Sequence, residues 1–254
     1  MDNERWNDDQ IERLNQRGGR TLSIVDLIQA GTISVEMAAC GMRAMAEGAS
    51  LLTGARPGGA GKTTLMASLL HLLPPDVRIV TVDDSRVIAD GLARPADEPL
   101  CYLAHEIGSG HWYGYIWGRD VPQFLALASG PRRIASCLHA DTLDELTDIL
   151  CSPPLGVEAE VLGRVGAILF MHVGRSLRGL RRRVATFHEA DGCGAHRLLY
   201  RWDEASDSFE QASGPRDPAD LARYTAFIES LAATGETDCR SVRRRALAFY
   251  RGEG

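Results

Sequence analysis

Apolar and polar positions along the chain fall into three regimes. Residues 1–20 are almost entirely polar and show no period, so they are expected to fray. Residues 21–47, TLSIVDLIQAGTISVEMAACGMRAMAE, carry apolar positions at helical spacing and predict two short helices. Thr32 or Ser34 is expected to cap the second, with Met37, Cys40, Met42 and Met45 available for packing. Short apolar runs then alternate with helical stretches. Residues 49–53 predict a buried strand, 54–61 a glycine-rich loop, and Lys62 to about Leu73 a helix ended by Pro74-Pro75. The run VRIVTV at 77–82 predicts a second strand, closing on Asp83-Asp84. No period is convincing over 91–111, and WYGYIW at 112–117 reads as a third buried strand. A helix from about Pro122 to Ala128, a strand at 133–138 and a helix from about Thr142 to Leu150 follow. This alternation predicts an α/β fold with a mainly parallel sheet covered on both faces.

The pattern changes after Pro153-Pro154. Residues 165–173, 181–189, 197–202 and 207–210 read as strands, with turns at Arg178-Gly179 and Asp191-Gly192 suited to antiparallel connections. Two closing helices are expected at 218–231 and 237–250. The division expected is a helical lead-in at 1–47, a core at 48–154, and a β extension with closing helices at 155–254 packed on that core.

Composition narrows the function classes. A chain of 254 residues with 44% hydrophobic residues can bury a substantial core. A net charge of -6 argues against a dedicated nucleic-acid surface, although Arg181-Arg182-Arg183 form a local basic cluster. The six cysteines form no CxxC pair and read as mostly buried thiols in a reducing compartment. No apolar run reaches transmembrane length, which predicts a cytoplasmic protein that meets a membrane, if at all, at its cytoplasmic face through a partner. Of the 28 basic residues, Lys62 is the single lysine, and it stands in the glycine-rich loop.

That loop, GARPGGAGKTT at 54–64, carries the chemistry. In a P-loop, successive backbone N–H groups curl around phosphates, the next helix adds its N-terminal dipole, a lysine reaches the β/γ oxygens and a hydroxyl holds Mg²⁺. Gly58, Gly59 and Ala60 permit the close turn; Gly61, Lys62 and Thr63 match the end of the motif; Thr64 either touches a phosphate or packs. Thr63 is the expected Mg²⁺ ligand. The usual spacing calls for a glycine where Arg56 stands, so either the loop is enlarged or Arg56 has a backbone geometry compatible with a side chain.

The chain also resembles the secretion and pilus ATPases of the type II/type IV secretion group, which includes traffic, archaellum and VirB11-like ATPases. The resemblance is carried by TLSIVDLIQAGTISVEMAA, by GAGKTTLMASLL, by IVTVDD like an acidic box, by IASCLHADTLDEL like a histidine box, and by FMHVGRSLRGLRRRVATFHE. It spans roughly residues 21–250 and lacks the separate N-terminal domain that full-length members place before the core. It implies a RecA-like P-loop NTPase core using ATP and Mg²⁺. It further implies a hexameric ring, or a mixed ring with a related ATPase, coupled to filament assembly or secretion and served by a polytopic membrane platform. Asp83 and Asp84 then align with the acidic box, as carboxylates that polarise water or, for Asp84, hold a water on Mg²⁺; the bland alternative is a strand-end turn. His139 aligns with the histidine box, as a γ-phosphate sensor or relay, or else as a structural strand-end residue.

The resemblance breaks over 85–120. Aligning Arg119-Asp120 with the arginine and acid of the family puts Trp117 where the Walker B glutamate belongs. Asp120 is then the expected substitute, with Glu106 and His111 as weaker candidates. Arg175 and Arg181–Arg183 either reach a neighbouring subunit's nucleotide or rim, or form a solvated charged face. Three functions stay open at this point: an active transport ATPase, a hydrolysis-impaired regulatory relative, and a non-motor P-loop kinase.

Overall fold

The computed structural model describes residues 3–15, 18–176, 179–214 and 216–253. Three helices lead in: α1 (Asn3–Glu12), α2 (Ile24–Gln29) and α3 (Val35–Ala46). The alternating region contains β1 (Leu51–Gly54), α4 (Lys62–Leu70), β2 (Arg78–Thr81), α5 (Ser85–Ala93), β3 (Leu100–Leu103), β4 (Glu106–Ile107) and β5 (Tyr115–Ile116). It continues through α6 (Asp120–Ala126), β6 (Arg133–Leu138), α7 (Leu143–Cys151) and α8 (Ala159–Leu162). The remainder is β7 (Ala167–Ser176), β8 (Gly179–Ala190), β9 (His196–Asp203), β10 (Ser208–Gln211), α9 (Pro218–Ala233) and α10 (Cys239–Arg251).

One sheet runs through the molecule in the order β10-β9-β8-β7-β1-β6-β3-β2. The pairs β7-β1, β1-β6, β6-β3 and β3-β2 are parallel, and those from β7 outward to β10 are antiparallel. The fold is therefore α/β, with a mainly parallel core sheet, an antiparallel β extension and C-terminal helices. The division at residues 154 and 155 falls within this sheet, because β7 lies beside β1. The predicted turn at Arg178-Gly179 includes Arg178, which lies outside the described residues.

Strand alternation sorts the core into two layers. Leu51, Ala135, Cys137 and Leu169 face the layer that contains α3, α4 and α9. Leu52, Ile134, Leu138 and Ile168 face the layer that contains α5, α6 and α7. With both faces covered, β1 and β6 are buried at every position, which explains why neither alternates apolar with polar residues. Ser34, rather than Thr32, caps α3 by accepting from the Met37 N–H at 3.2 Å, and Met37, Cys40, Met42 and Met45 are all buried.

Two expectations are corrected. Residues Asn3–Glu12 do not fray: as α1 they lie against the edge strand β2. Their polar side chains bind β2 atoms that a neighbouring strand would otherwise engage. Asn7 Nδ2 donates to the Val77 carbonyl at 2.8 Å, while Asn7 Oδ1 accepts from the Ile79 N–H at 2.8 Å. Trp6 Nε1 donates to the Ile79 carbonyl at 2.7 Å, and Thr81 Oγ1 donates to Gln10 Oε1 at 2.7 Å. Polarity reads as disorder only when those polar groups have no buried partner.

The second correction concerns 112–117. Only Tyr115–Ile116 is strand, and it pairs with β4 alone. Trp112 is 68% exposed and Trp117 39%. The third core strand is β3, which lies in the stretch where no period was visible. Three of its four residues are buried, on both faces and without alternation, so β3 has no periodic signature. The helix before it, α5, was likewise unread; Asp84 caps it by accepting from the Arg86 N–H at 2.8 Å.

Candidate phosphate-binding site

Parallel strands aim their carboxyl ends at one edge, and ligands in open α/β sheets bind there, where strand order reverses. From β1 the chain departs toward β2 at the far edge, and it returns through β3 and β6 before crossing to β7. The ends of β1, β6 and β3 carry, in turn, the glycine-rich loop, His139, and the segment His105-Glu106.

Gly54 closes β1 and has no room for a side chain. A Cβ there would sit 2.6 Å from the Ala140 carbonyl oxygen and 2.6 Å from the Phe170 ring. At the other end of the loop Gly61 has φ +105, a conformation that side chains disfavour, and forms the N-cap of α4 without any side-chain cap. The first N–H groups of a helix lack intrahelical partners, so this uncapped terminus presents donors to an anion. Arg56 does not need to be glycine. Among the described non-glycine residues only Asp207 has positive φ. The Arg56 N–H donates to Asp141 Oδ1 at 2.7 Å and the Arg56 guanidinium pairs with Glu145, which also accepts from the Asp141 N–H at 2.8 Å. Arg56 thus fastens the start of the loop to the N-terminal turn of α7, where Thr142 caps by accepting from the Glu145 N–H.

Lys62 is buried. Its Nζ donates to the Ala55 carbonyl at 3.1 Å and lies 3.4 Å from His139 Nδ1. His139 Nδ1 is also 2.7 Å from the Arg56 carbonyl, and its Nε2 is 3.0 Å from Glu106 Oε1. Both ring nitrogens therefore face oxygen atoms, Nδ1 with the Lys62 ammonium beside it. The Glu106 side chain is only 13% exposed. Beneath the loop, Thr53 Oγ1 donates to the Lys62 carbonyl at 3.2 Å, tying β1 to the first residue of α4. Thr63 accepts a long 3.9 Å contact from Cys137 Sγ, whose thiol burial pushes up to about 11 and so keeps protonated. None of the six cysteines is in a disulfide.

Lys62, Thr63, His139 and Glu106 line a cleft of about 640 Å³. Its lining includes Gly58–Thr64, Glu106, His139, Arg181–Arg183 and residues of the lead-in. All seven predicted loop residues, Gly58, Gly59, Ala60, Gly61, Lys62, Thr63 and Thr64, and His139 are brought together. Asp83, Asp84 and Asp120 are not. Both Asp83 and Asp84 are exposed at the end of β2, three strand spacings from β1, about 14 Å at ~4.8 Å each. Asp84 is engaged as the α5 cap. Asp83 acts electrostatically on His105, opposing the burial that lowers that imidazole to about 4. Asp120 opens α6 and is absent from the cleft lining, as are His111, Trp117 and Arg175. Of the carboxylates considered for this role, Glu106, the first residue of β4 just after β3, lines the cleft, and Asp120 does not. The sequence signal was the apolar run Leu100–Ala104 followed by His105-Glu106.

The cleft chemistry fits a nucleotide with Mg²⁺. An uncapped helix terminus, a buried ammonium, a threonine hydroxyl in the first turn of α4 and a sheltered carboxylate are present together. Among the described residues no group of three or more metal-ligating side chains occurs. Mg²⁺ commonly binds through one or two protein oxygens together with substrate phosphates.

No protein-family profile matches the chain, and no curated protein matches it. Among solved structures it is similar to the ATPase DotB of Legionella pneumophila, at 14% identity and TM-score 0.41, over 83% of this chain and 59% of that one. It is also similar to the VirB11 ATPase of the Brucella suis type IV secretion system, solved with sulphate, at 15% identity and TM-score 0.38, over 79% and 56%. The chain spans less than two thirds of the length of either protein. No helix among its described residues is long and apolar enough to cross a membrane.

Proposed function

We propose that this chain binds ATP with Mg²⁺ in the Gly58–Thr64 cleft and hydrolyses it, with Glu106 as the carboxylate that orients and deprotonates the attacking water. One observation carries the reading: the contacts from Lys62 through His139 to Glu106, at 3.4 and 3.0 Å, join the ends of β1, β6 and β3. Backbone N–H groups of the loop and the α4 terminus would hold the phosphates, and Lys62 would release the Ala55 carbonyl to reach their oxygens. Thr63 would hold Mg²⁺, which when bound neutralises charge on the transferred phosphoryl group. Glu106 takes the proton of the water, a transfer of the kind that contributes roughly 10²–10⁴-fold. His139 keeps the carboxylate aimed and carries its hydrogen bond across to the loop start at Arg56.

The wider setting rests on the motif resemblance alone. We infer a subunit of a secretion- or pilus-type ATPase, working in a hexameric or mixed ring at the cytoplasmic face of a membrane platform. The hydrolysis-impaired alternative drew in part on Trp117, which is an exposed residue outside the cleft lining.

The test is Mg²⁺-dependent ATP binding and steady-state phosphate release by the purified chain, with Lys62→Ala beside it. Binding and turnover that both vanish in Lys62→Ala are expected. Tight binding with no turnover would leave the nucleotide site intact and remove the hydrolase. Absence of binding in the wild type would remove both.

A further inference from the structure

The three arginines of GLRRRV, Arg181, Arg182 and Arg183, behave differently because a strand turns alternate residues to opposite faces. Arg181 and Arg183 share one face of β8. Arg181 NH2 pairs with Glu204 at 3.2 Å and its guanidinium lies over Trp202, 4.8 Å from the ring centre. Arg183 Nε pairs with Asp207 at 2.8 Å, and its NH1 donates to the Ala30 carbonyl. Asp207 is held down to about 2, chiefly by its hydrogen bond from Arg183.

Arg182 takes the other face, opposite Val173 of β7, and turns toward the phosphate loop of its own chain. Its Nε donates to the Gly59 carbonyl at 3.0 Å, and its Cδ lies 3.5 Å from where a Cβ would stand on Gly61. Among the described residues no carboxylate lies within ion-pair distance of it, although both neighbours are paired. A guanidinium has five donors, and one of them engages Gly59. A half-buried cation with spare donors, resting on a loop built to receive an anion and lining the same cleft, is suited to a polyphosphate.

We infer that Arg182 is a phosphate-contacting residue acting in cis. On nucleotide binding its fork leaves the Gly59 carbonyl for phosphate oxygens, on the side of the loop opposite Glu106 and His139. This links the β7–β8 ribbon to the occupancy of the site. It departs from the reading of the arginine run as a contact to a neighbouring subunit, and it rests on the nucleotide proposal above.

The experiment is calorimetric binding of MgATP and of AMP to the full chain as wild type, Arg182→Gln and Arg182→Lys, with Lys62→Ala as reference. Glutamine keeps a donor for Gly59 but loses the charge; lysine keeps the charge. The expected result is a MgATP affinity about 10- to 100-fold weaker in Arg182→Gln, the range of one charge-assisted hydrogen bond. Arg182→Lys should retain most of the affinity, and AMP binding should change far less than MgATP binding. Wild-type affinity in Arg182→Gln, or equal losses in the Gln and Lys variants, would overturn the inference while leaving the nucleotide site standing. No MgATP binding by the wild type would instead remove the proposal on which it rests.

Discussion

The two flanks of the phosphate loop are built differently. On the β6 side, His139 and Glu106 form a short hydrogen-bonded run that reaches the loop at Arg56, its beginning. On the β7–β8 side, Arg182 reaches the loop at Gly59, its middle, from a two-stranded ribbon. The first flank offers a proton acceptor and the means to aim it. The second offers positive charge on a ribbon continuous with β9 and β10. In the proposed reading, chemistry and contact with the phosphate chain fall on opposite sides of β1, which pairs with β6 on one side and with β7, the partner of β8, on the other. The difference teaches that the flanks should fail separately: one in turnover, the other in affinity.

Gly54 is where the flanks meet, since a Cβ there would strike Ala140 after β6 and Phe170 in β7. Gly54→Ala is expected to have the largest effect on stability, on the order of 1–3 kcal/mol because a backbone oxygen is one of the obstacles. Urea unfolding would measure it, and a neutral outcome would show that the two flanks are not pinned at this point. Asp84 lies on neither flank. Asp84→Ala should cost about 1 kcal/mol by uncapping α5, with ATP turnover unchanged. A turnover defect without a stability change would restore Asp84 to the chemistry. The smallest effect is expected for Trp117→Ala, whose steady-state turnover should stay within about twofold of wild type, since exposed residues away from a site usually matter little. A large loss there would bring the 112–117 loop into the site.

Much of the first flank and the loop itself could be read from sequence. The apolar strands β1 and β6, the glycine-rich loop and the capped helix α7 each carry a signal in their own residues. The antiparallel strands β7 to β10 were legible for the same reason. Glu106 was seen only as a weaker candidate, because β3 is too short and too buried to show a period, and the more conspicuous aromatic run nearby took its place. Helix α1 was missed because its polar residues find partners on β2 some seventy positions away, which no local pattern reveals. The basic run was noticed, yet its division into two paired arginines and one directed at the loop depends on the pairing register of β8 with β7.

The most direct test of the account is Glu106→Gln, measured for MgATP binding and for steady-state hydrolysis beside the wild type. The substitution keeps the size of the side chain and a hydrogen bond to His139 but removes the base. Nucleotide affinity should hold within about threefold while kcat falls roughly 10²–10⁴-fold. Undiminished turnover in Glu106→Gln would contradict the account and return the search for the catalytic acid to the other carboxylates.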